Sequence, residues 1–208
     1  MDDFSRYDQY DISENDPYLI ENSECLINLL GITNTSELNE AESAISALVM
    51  ADLEITPILA TFNLKHLQNI HSSLFSDIYP FAGKLRVVEI AKGEHLFLPH
   101  NLIFEKANEV FASLKADGYL TDLPADVFAE KVGWYFNQVN MIHSFREGNG
   151  RTQRIFFDQL AAANGYAFNW SSISQAAMGL VCREGRTIDI EGKGLSRLLA
   201  LNIVRIKS

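Results

Sequence analysis

The sequence predicts a mostly α-helical protein that carries one small β-hairpin. Three observations lead there. Apolar residues recur at three- and four-residue spacing through most of the 208-residue chain. The stretch from residue 86 to 98 is instead rich in strand formers. Glycines stand where the periodic runs stop, at Gly118, Gly165 and Gly179.

Residues 1–24 hold eight acids against one base, Arg6, together with Tyr7, Tyr10, Pro17 and Tyr18. This reads as an irregular acidic arm, either solvated or pinned to the body by its tyrosines. Residues 25–208 read as a single domain. Helical periodicity begins near Glu24 and recurs from Thr35, where Ser36, Glu37 and Glu40 suit a helix start. Leu38, Ala41, Ile45, Leu48 and Ala51 then share a face. A second helix covers Asn63 to Leu74, with Leu64, Leu67, Ile70, His71 and Leu74 on one side. On that stripe His71 reads as a buried, hydrogen-bonded core histidine. Tyr79-Pro-Phe-Ala-Gly breaks the pattern. Arg86-Val87-Val88-Glu89-Ile90 and Leu96-Phe97-Leu98 form a hairpin around Lys92-Gly93-Glu94, and Pro99 ends it. Lys92 at the tip reads as a solvated turn residue, with contact to a ligand as the alternative. Helical patterns return at 101–116, 124–142, 152–164 and 194–206.

The bulk numbers narrow the class. With 47% hydrophobic and 21% charged residues the chain is globular rather than disordered. A net charge of -10 argues against direct nucleic-acid binding, which needs a clustered basic face. Cys25 and Cys182 stand too far apart for a disulfide framework or a zinc pairing. No apolar run suits a membrane span, and the N-terminus has no secretory pattern. The expected location is cytoplasmic.

Chemistry concentrates in His143-Ser-Phe-Arg-Glu-Gly-Asn-Gly-Arg-Thr-Gln-Arg154. Apolar helices flank this polar turn. Gly148-Asn149-Gly150 can adopt positive φ and aim successive N–H groups at one anion, directly before a helix N-terminus. Arg151 and Arg154 add guanidinium forks suited to phosphate oxygens. A polyphosphate is the natural guest. The Glu147 carboxylate would repel it unless a bridging Mg²⁺ intervenes. His143 can accept a proton from a hydroxyl near neutral pH. Phe145 anchors the loop in the core. Two other motifs fail. A Walker loop needs Lys and then Ser or Thr after its last glycine, whereas Arg151 follows Gly150. A zinc helix needs a second histidine beside His143 and Glu147.

The twelve residues resemble the full signature of the Fic family, His-x-Phe-x-Asp/Glu-Gly-Asn-Gly-Arg-x-x-Arg, with Ser144 where proline is common. Phe81-Ala-Gly-Lys-Leu-Arg86 with the hairpin resembles the family's flap region, and Phe157 to Tyr166 resembles the stretch after the signature. The resemblance runs from roughly residue 25 to 200. It implies a compact Fic-type helical domain that transfers AMP from Mg²⁺-ATP to a Ser, Thr or Tyr hydroxyl of a target protein. In that reading His143 is the base, and Glu147 holds Mg²⁺. Gly148, Asn149 and Gly150 cradle the α- and β-phosphates, Arg151 contacts phosphate, and Arg154 holds the γ-phosphate. The flap, Arg86 to Ile90, Lys92, Gly93 and Leu96 to Leu98, registers an extended target segment.

Family members often carry an inhibitory Ser/Thr-x-x-x-Glu-Gly/Asn helix. Ser36 to Glu40 has the spacing but is followed by Ala41. Thr187 to Gly192 matches formally, in surroundings too rich in glycine and β-branched residues for a helix. The chain is therefore similar to toxin-type members, whose inhibitory glutamate comes from a small antitoxin and whose targets include type II topoisomerase subunits. The alternatives are another nucleotide-dependent phosphoryl transfer on the same scaffold and a catalytically silent nucleotide-binding module.

Overall fold

The structure, a computed structural model, describes residues 16–93 and 95–206. Most of the acidic arm and Glu94 in the hairpin turn lie outside the described residues. Seven α-helices dominate: α1 (Thr35–Ile55), α2 (Leu64–Phe75), α3 (Ile103–Ala116), α4 (Ala125–Ile142), α5 (Asn149–Ala163), α6 (Gln175–Thr187) and α7 (Lys193–Ala200). Two antiparallel strand pairs complete the fold, β1 (Ala91–Lys92) with β2 (His95–Leu96) and β3 (Tyr166–Phe168) with β4 (Ile203–Arg205).

Helix α4 is the axis of the molecule and packs on α3, α5, α6 and α7, while α5 also packs on α2. Gly133 permits the closest approach. A Cβ there would lie 2.3 Å from Ser196 Oγ, so α7 rests directly on the α4 backbone, and Ser196 Oγ donates to Glu130 O at 3.0 Å. Between α4 and α5 the rings of Phe136 and Phe157 stack at 5.0 Å, and Phe128, Phe156 and Leu160 are fully buried around them. Each such side chain contributes about 1.5–3 kcal/mol by leaving water. The joint between α4 and α5 is thereby held rigid, and that joint is the signature turn.

Several expectations change. Near Glu24 there is a turn with an isolated Leu19–Leu26 bridge instead of a helix. Helix α1 starts at Thr35 because Asn34 caps it, its side chain accepting the N–H groups of Ser36 and Glu37. Its buried positions are Leu38, Glu42 and Ser46, while Leu48 is 71% exposed. The stripe is rotated because α1 buries a carboxylate and a hydroxyl that the site uses. The hairpin pairs only two residues per strand, Ala91 with Leu96 and Lys92 with His95. Residues 86–90 lie outside the strand pair: the Arg86 N–H goes to Ser144 O, and only Ile90 O, which accepts the Phe97 N–H, continues the hairpin contact. Helix α6 was absent from the sequence reading, and Gly179 lies inside it. The last helix ends at Ala200, and the β-branched Ile203 and Val204 form β4 with a strand not expected at Tyr166.

Asp16 to Glu24 lies against the body. Tyr18 packs edge-on to Phe81 at 4.8 Å, and its hydroxyl accepts the Val87 N–H at 3.1 Å.

Candidate active site

The turn from α4 to α5 is polar yet buried from Ile142 through Asn149. Its backbone groups must find partners inside the protein, and dedicated side chains supply them. The Asn149 carboxamide accepts the Phe145 N–H at 2.9 Å and donates to Phe145 O at 2.8 Å, folding the turn on itself. Arg86, 2% exposed, donates from Nε to His143 O at 2.8 Å and from its terminal nitrogens to the carbonyls of Val88, Leu98 and Ile142. The Arg86 N–H reaches Ser144 O at 3.0 Å. His71 braces the other side. Its Nε2 meets Glu147 O at 2.9 Å, and its Nδ1 receives the Gly83 N–H at 2.8 Å. A carbonyl only accepts and an N–H only donates, so His71 is neutral with its proton on Nε2. Burial pushes its pKa down to about 4, which keeps it so. Phe145 is 1% exposed and stacks on His71 at 3.9 Å.

His143 caps α4 in the left-handed region, with φ 50°. A non-glycine residue held there is strained, and such strain gathers at functional sites. Its Nδ1 lies 3.2 Å from Asn140 O. That carbonyl places the proton on Nδ1 and leaves Nε2 as the acceptor. Burial holds the imidazole well below its ordinary pKa. The Asn140 carbonyl opposes the shift, and the charges of Arg186, Arg86 and Lys92 reinforce it. The ring is neutral at physiological pH.

Four residues on, the Glu147 carboxylate accepts the Gly148 N–H at 2.7 Å, which orients it at the mouth of α5. Gly148 has φ 74°, and a Cβ there would meet Phe75 at 2.3 Å, so only glycine fits. Gly150 is exposed, with open space where its Cβ would stand. The first turn of α5 presents N–H groups and a partial positive charge toward that opening.

The two arginines differ. Arg151 donates to Ser46 Oγ at 2.8 Å and to the Glu42 carboxylate, and its guanidinium sits over the Phe75 ring at 4.9 Å. Glu42 also accepts the Tyr79 hydroxyl. Arg151 is thus tied to α1 by a pair whose members are 15% and 7% exposed. Arg154 is half-buried one turn further and acts electrostatically on Asp158 and Cys182. Burial raises the Asp158 carboxyl to about 7, with Trp170 Nε1 donating to it and Arg154 opposing the rise. Removing one member of a buried ion pair costs about 3–5 kcal/mol. Glu42→Ala is accordingly expected to lose roughly that much stability, read as a lower urea midpoint with an unchanged slope.

Around the hairpin, Val87 and Leu96 are exposed at 59% and 73%, Glu89 and Gly93 are exposed, and Val88, Lys92 and Leu98 are half-buried. Arg86, Ile90 and Phe97 are buried. The side chains of these three therefore face inward from the hairpin. Arg86 instead ties the base of the hairpin to the signature turn, and Phe97 lies flat on His143 at 3.8 Å. Lys92 lies within electrostatic reach of His143 and Cys182, closer to the site than a solvated tip.

Sequence reasoning missed Glu42, Asp16 and Arg186. Arg146 Nε donates to Asp16 at 2.8 Å, both side chains being almost fully buried. These partners lie more than 30 residues from the groups they serve, and nothing in local spacing announces such pairs. The glutamate and serine at 42 and 46 were visible only as a polar step on an apolar stripe.

The fold and the turn define a helical protein built around a buried glycine turn that leads into a helix N-terminus, with a neutral imidazole at its edge. The chain belongs to the Fic/DOC family. That family's profile matches residues 61–161. The "Probable protein adenylyltransferase Fic" of Escherichia coli is 35% identical over 175 residues, covering 84% of this chain and 86% of the relative. The protein adenylyltransferase VbhT of Bartonella schoenbuchensis is 37% identical over 164 residues, covering 79% of this chain, and the match spans 34% of that longer relative. Among solved structures, the BepC protein of Bartonella tribocorum with bound AMPPNP superposes with TM-score 0.85 at 25% identity, over 91% of this chain and 97% of that one. The ADP-bound Fic domain of a Bartonella quintana effector gives 0.85 at 26% identity, over 91% and 95%.

Proposed function

We propose that this chain is a protein adenylyltransferase that moves AMP from ATP to a Ser, Thr or Tyr hydroxyl of another protein. The observation that carries the reading is the neutral, Nδ1-protonated His143 at one edge of a turn that opens at Gly150 onto the α5 N-terminus. Relatives named protein adenylyltransferases and nucleotide-bound Fic structures support it.

In this reading Gly148 to Gly150 and the α5 N-terminus form the phosphate cradle, the helix N-terminal N–H groups donating to phosphate while the Gly148 N–H stays on Glu147. The Asn149 side chain shapes the turn, while its backbone belongs to the cradle. Arg154 holds the γ-phosphate. Arg151, tied to Glu42, supplies fixed positive charge beside the phosphates. His143 Nε2 takes the hydroxyl proton as the oxygen bonds to the α-phosphorus and the bond to pyrophosphate breaks. Positioning and charge compensation supply most of the acceleration. Glu147 fits Mg²⁺: its carboxylate is a hard oxygen donor, oriented by the Gly148 N–H at the phosphate turn. Among the described residues there is no group of three or more such ligands, and Mg²⁺ with a nucleotide needs only one or two carboxylates. The metal would neutralise phosphate charge there. The exposed edge around Val87 and Leu96 is the place for an extended target segment to pair.

Among the described residues no helix is long and apolar enough to cross a membrane, and both cysteines are free thiols. Free thiols accord with a reducing compartment and support a cytoplasmic location. Glu40 and Glu191, the glutamates of the two formal inhibitory motifs, are exposed, and 188–192 is not helical. This supports restraint by a separate antitoxin. Type II topoisomerase subunits are the first targets to assay.

The test offers α- or γ-labelled ATP with Mg²⁺ and bacterial lysate. Label from the α-position alone is expected, and Arg154→Ala should raise the KM for ATP about tenfold or more, a change equivalent to ~1.4 kcal/mol. Label arriving only from the γ-position would instead establish phosphate transfer. ATP binding with no labelling of any protein would leave a silent module.

A further inference from the structure

His143 stacks on Phe97 with ring centres 3.8 Å apart and planes 18° apart, and the Arg186 guanidinium stands 4.8 Å over the same Phe97 ring. Three elements meet here. His143 ends α4, Phe97 follows β2 and hands its N–H to Ile90 O at 3.1 Å, and Arg186 comes from the last turn of α6. Helix α6 is held against α4 at this level, since the Asn140 carboxamide donates to Cys182 O at 3.1 Å and that of Asn137 to Gly185 O at 3.0 Å. Arg186 is therefore carried on a fixed frame.

We propose that Arg186, acting through Phe97, is a positioning residue that holds the His143 ring with Nε2 as its acceptor. The proposal rests on the reading of His143 as the base. A flat guanidinium over an aromatic face is attracted by the ring quadrupole, more strongly where water is excluded. Phe97, 4% exposed, is thereby kept in place, and it in turn keeps the imidazole from rotating off the Asn140 carbonyl. The arrangement also couples two functions. Phe97 directly follows the exposed Leu96 of the hairpin, so a target segment that pairs with this edge bears on the ring that carries the base.

Charge works in the same direction. The groups around His143 are Arg186 on α6, Arg86 before the hairpin, Lys92 on β1 and the Asn140 carbonyl on α4. The three cations disfavour imidazolium, and the carbonyl favours it. Removing Arg186 takes away one of the three. The His143 pKa then rises, and the acid limb of the rate profile moves to higher pH.

The test follows the His143 ring by NMR titration, assigned against His143→Ala, in the wild type, Arg186→Gln and Arg186→Lys. It also measures α-label transfer against pH. In Arg186→Gln the His143 pKa should rise, the direction that loss of a nearby cation produces. The acid limb should shift equally, and kcat should fall with the KM for ATP unchanged. Arg186→Lys keeps the cation and should restore the low pKa, while its rounder head restores kcat only in part. If Arg186→Gln does not fold, Arg186→Lys alone decides: a wild-type kcat in it overturns the positioning role. An unchanged His143 titration in Arg186→Gln overturns the proposal as well. A shifted titration in a protein whose wild type labels nothing at any pH would sustain the positioning of the ring and remove its role as a base.

Discussion

Replacing His143 with alanine should lower AMP transfer by about 10²–10⁴-fold, the range that a positioned general base contributes, with ATP affinity nearly unchanged. The geometry makes this a clean substitution. The proposed phosphate cradle begins at Gly148, and the bonds that shape its turn run from Asn149 to Phe145, from His71 to the Glu147 carbonyl and from Arg86 to the His143 carbonyl. The Arg86 Nε bond goes to the His143 carbonyl, which alanine retains. Alanine, like histidine, is an L-residue held in the left-handed region at φ 50°. Loss of the ring removes the Phe97 stack, so a modest drop in stability is expected beside the kinetic loss. Transfer rates with saturating ATP, compared with nucleotide binding measured separately, resolve the two. A variant that transfers AMP at the wild-type rate would remove His143 from the chemistry.

The second large effect is on the frame. Arg86→Met keeps most of the side-chain volume but deletes donors to the carbonyls of Val88, Leu98, Ile142 and His143. Hydrogen bonds from a charged donor are worth about 1.5–3 kcal/mol each, and buried acceptors left without them cost about 1–3. The terms are not additive, and a loss of at least about 3 kcal/mol is expected, a large fraction of the 5–15 kcal/mol that holds a typical domain. Arg86 ties the hairpin to the signature turn, so even the folded fraction should transfer AMP poorly. Thermal unfolding and activity per folded molecule measure the two parts. A melting temperature within a degree or two of the wild type would mean that this network is not structural.

The site was far more legible in the sequence than its supports. Residues 143–154 compress a base, a carboxylate, a flexible turn and two guanidinium groups into one local run, and local runs are what spacing reveals. Helix α2 was readable because its stripe from Leu64 to Leu74 is purely periodic and Asn63 caps it. Helix α1 misled because Glu42 and Ser46 face inward, so apolar periodicity pointed to Leu48 and Ala51, which face water. The α6 signal exists in Ser174 before Gln175-Ala-Ala-Met178, since Ser174 Oγ does accept the Ala177 N–H, but Gly179 reads as a stop in sequence. β3 and β4 pair across more than 30 residues, and each is three residues long. Neither strand has enough alternation to be seen alone. In sequence Arg86 stands beside strand formers, and nothing local shows that its side chain is buried. Its burial comes from carbonyls of a turn more than 50 residues away.

The most direct measurement is a crystal structure of the protein with Mg²⁺ and a non-hydrolysable ATP analogue. The account predicts phosphate density against the backbone of Gly148 to Gly150, with Arg154 at the γ-phosphate and a metal on Glu147. The α-phosphorus should lie toward His143 Nε2. A nucleotide seated elsewhere, or one at the turn with its γ-phosphate rather than its α-phosphorus toward the imidazole, would contradict it.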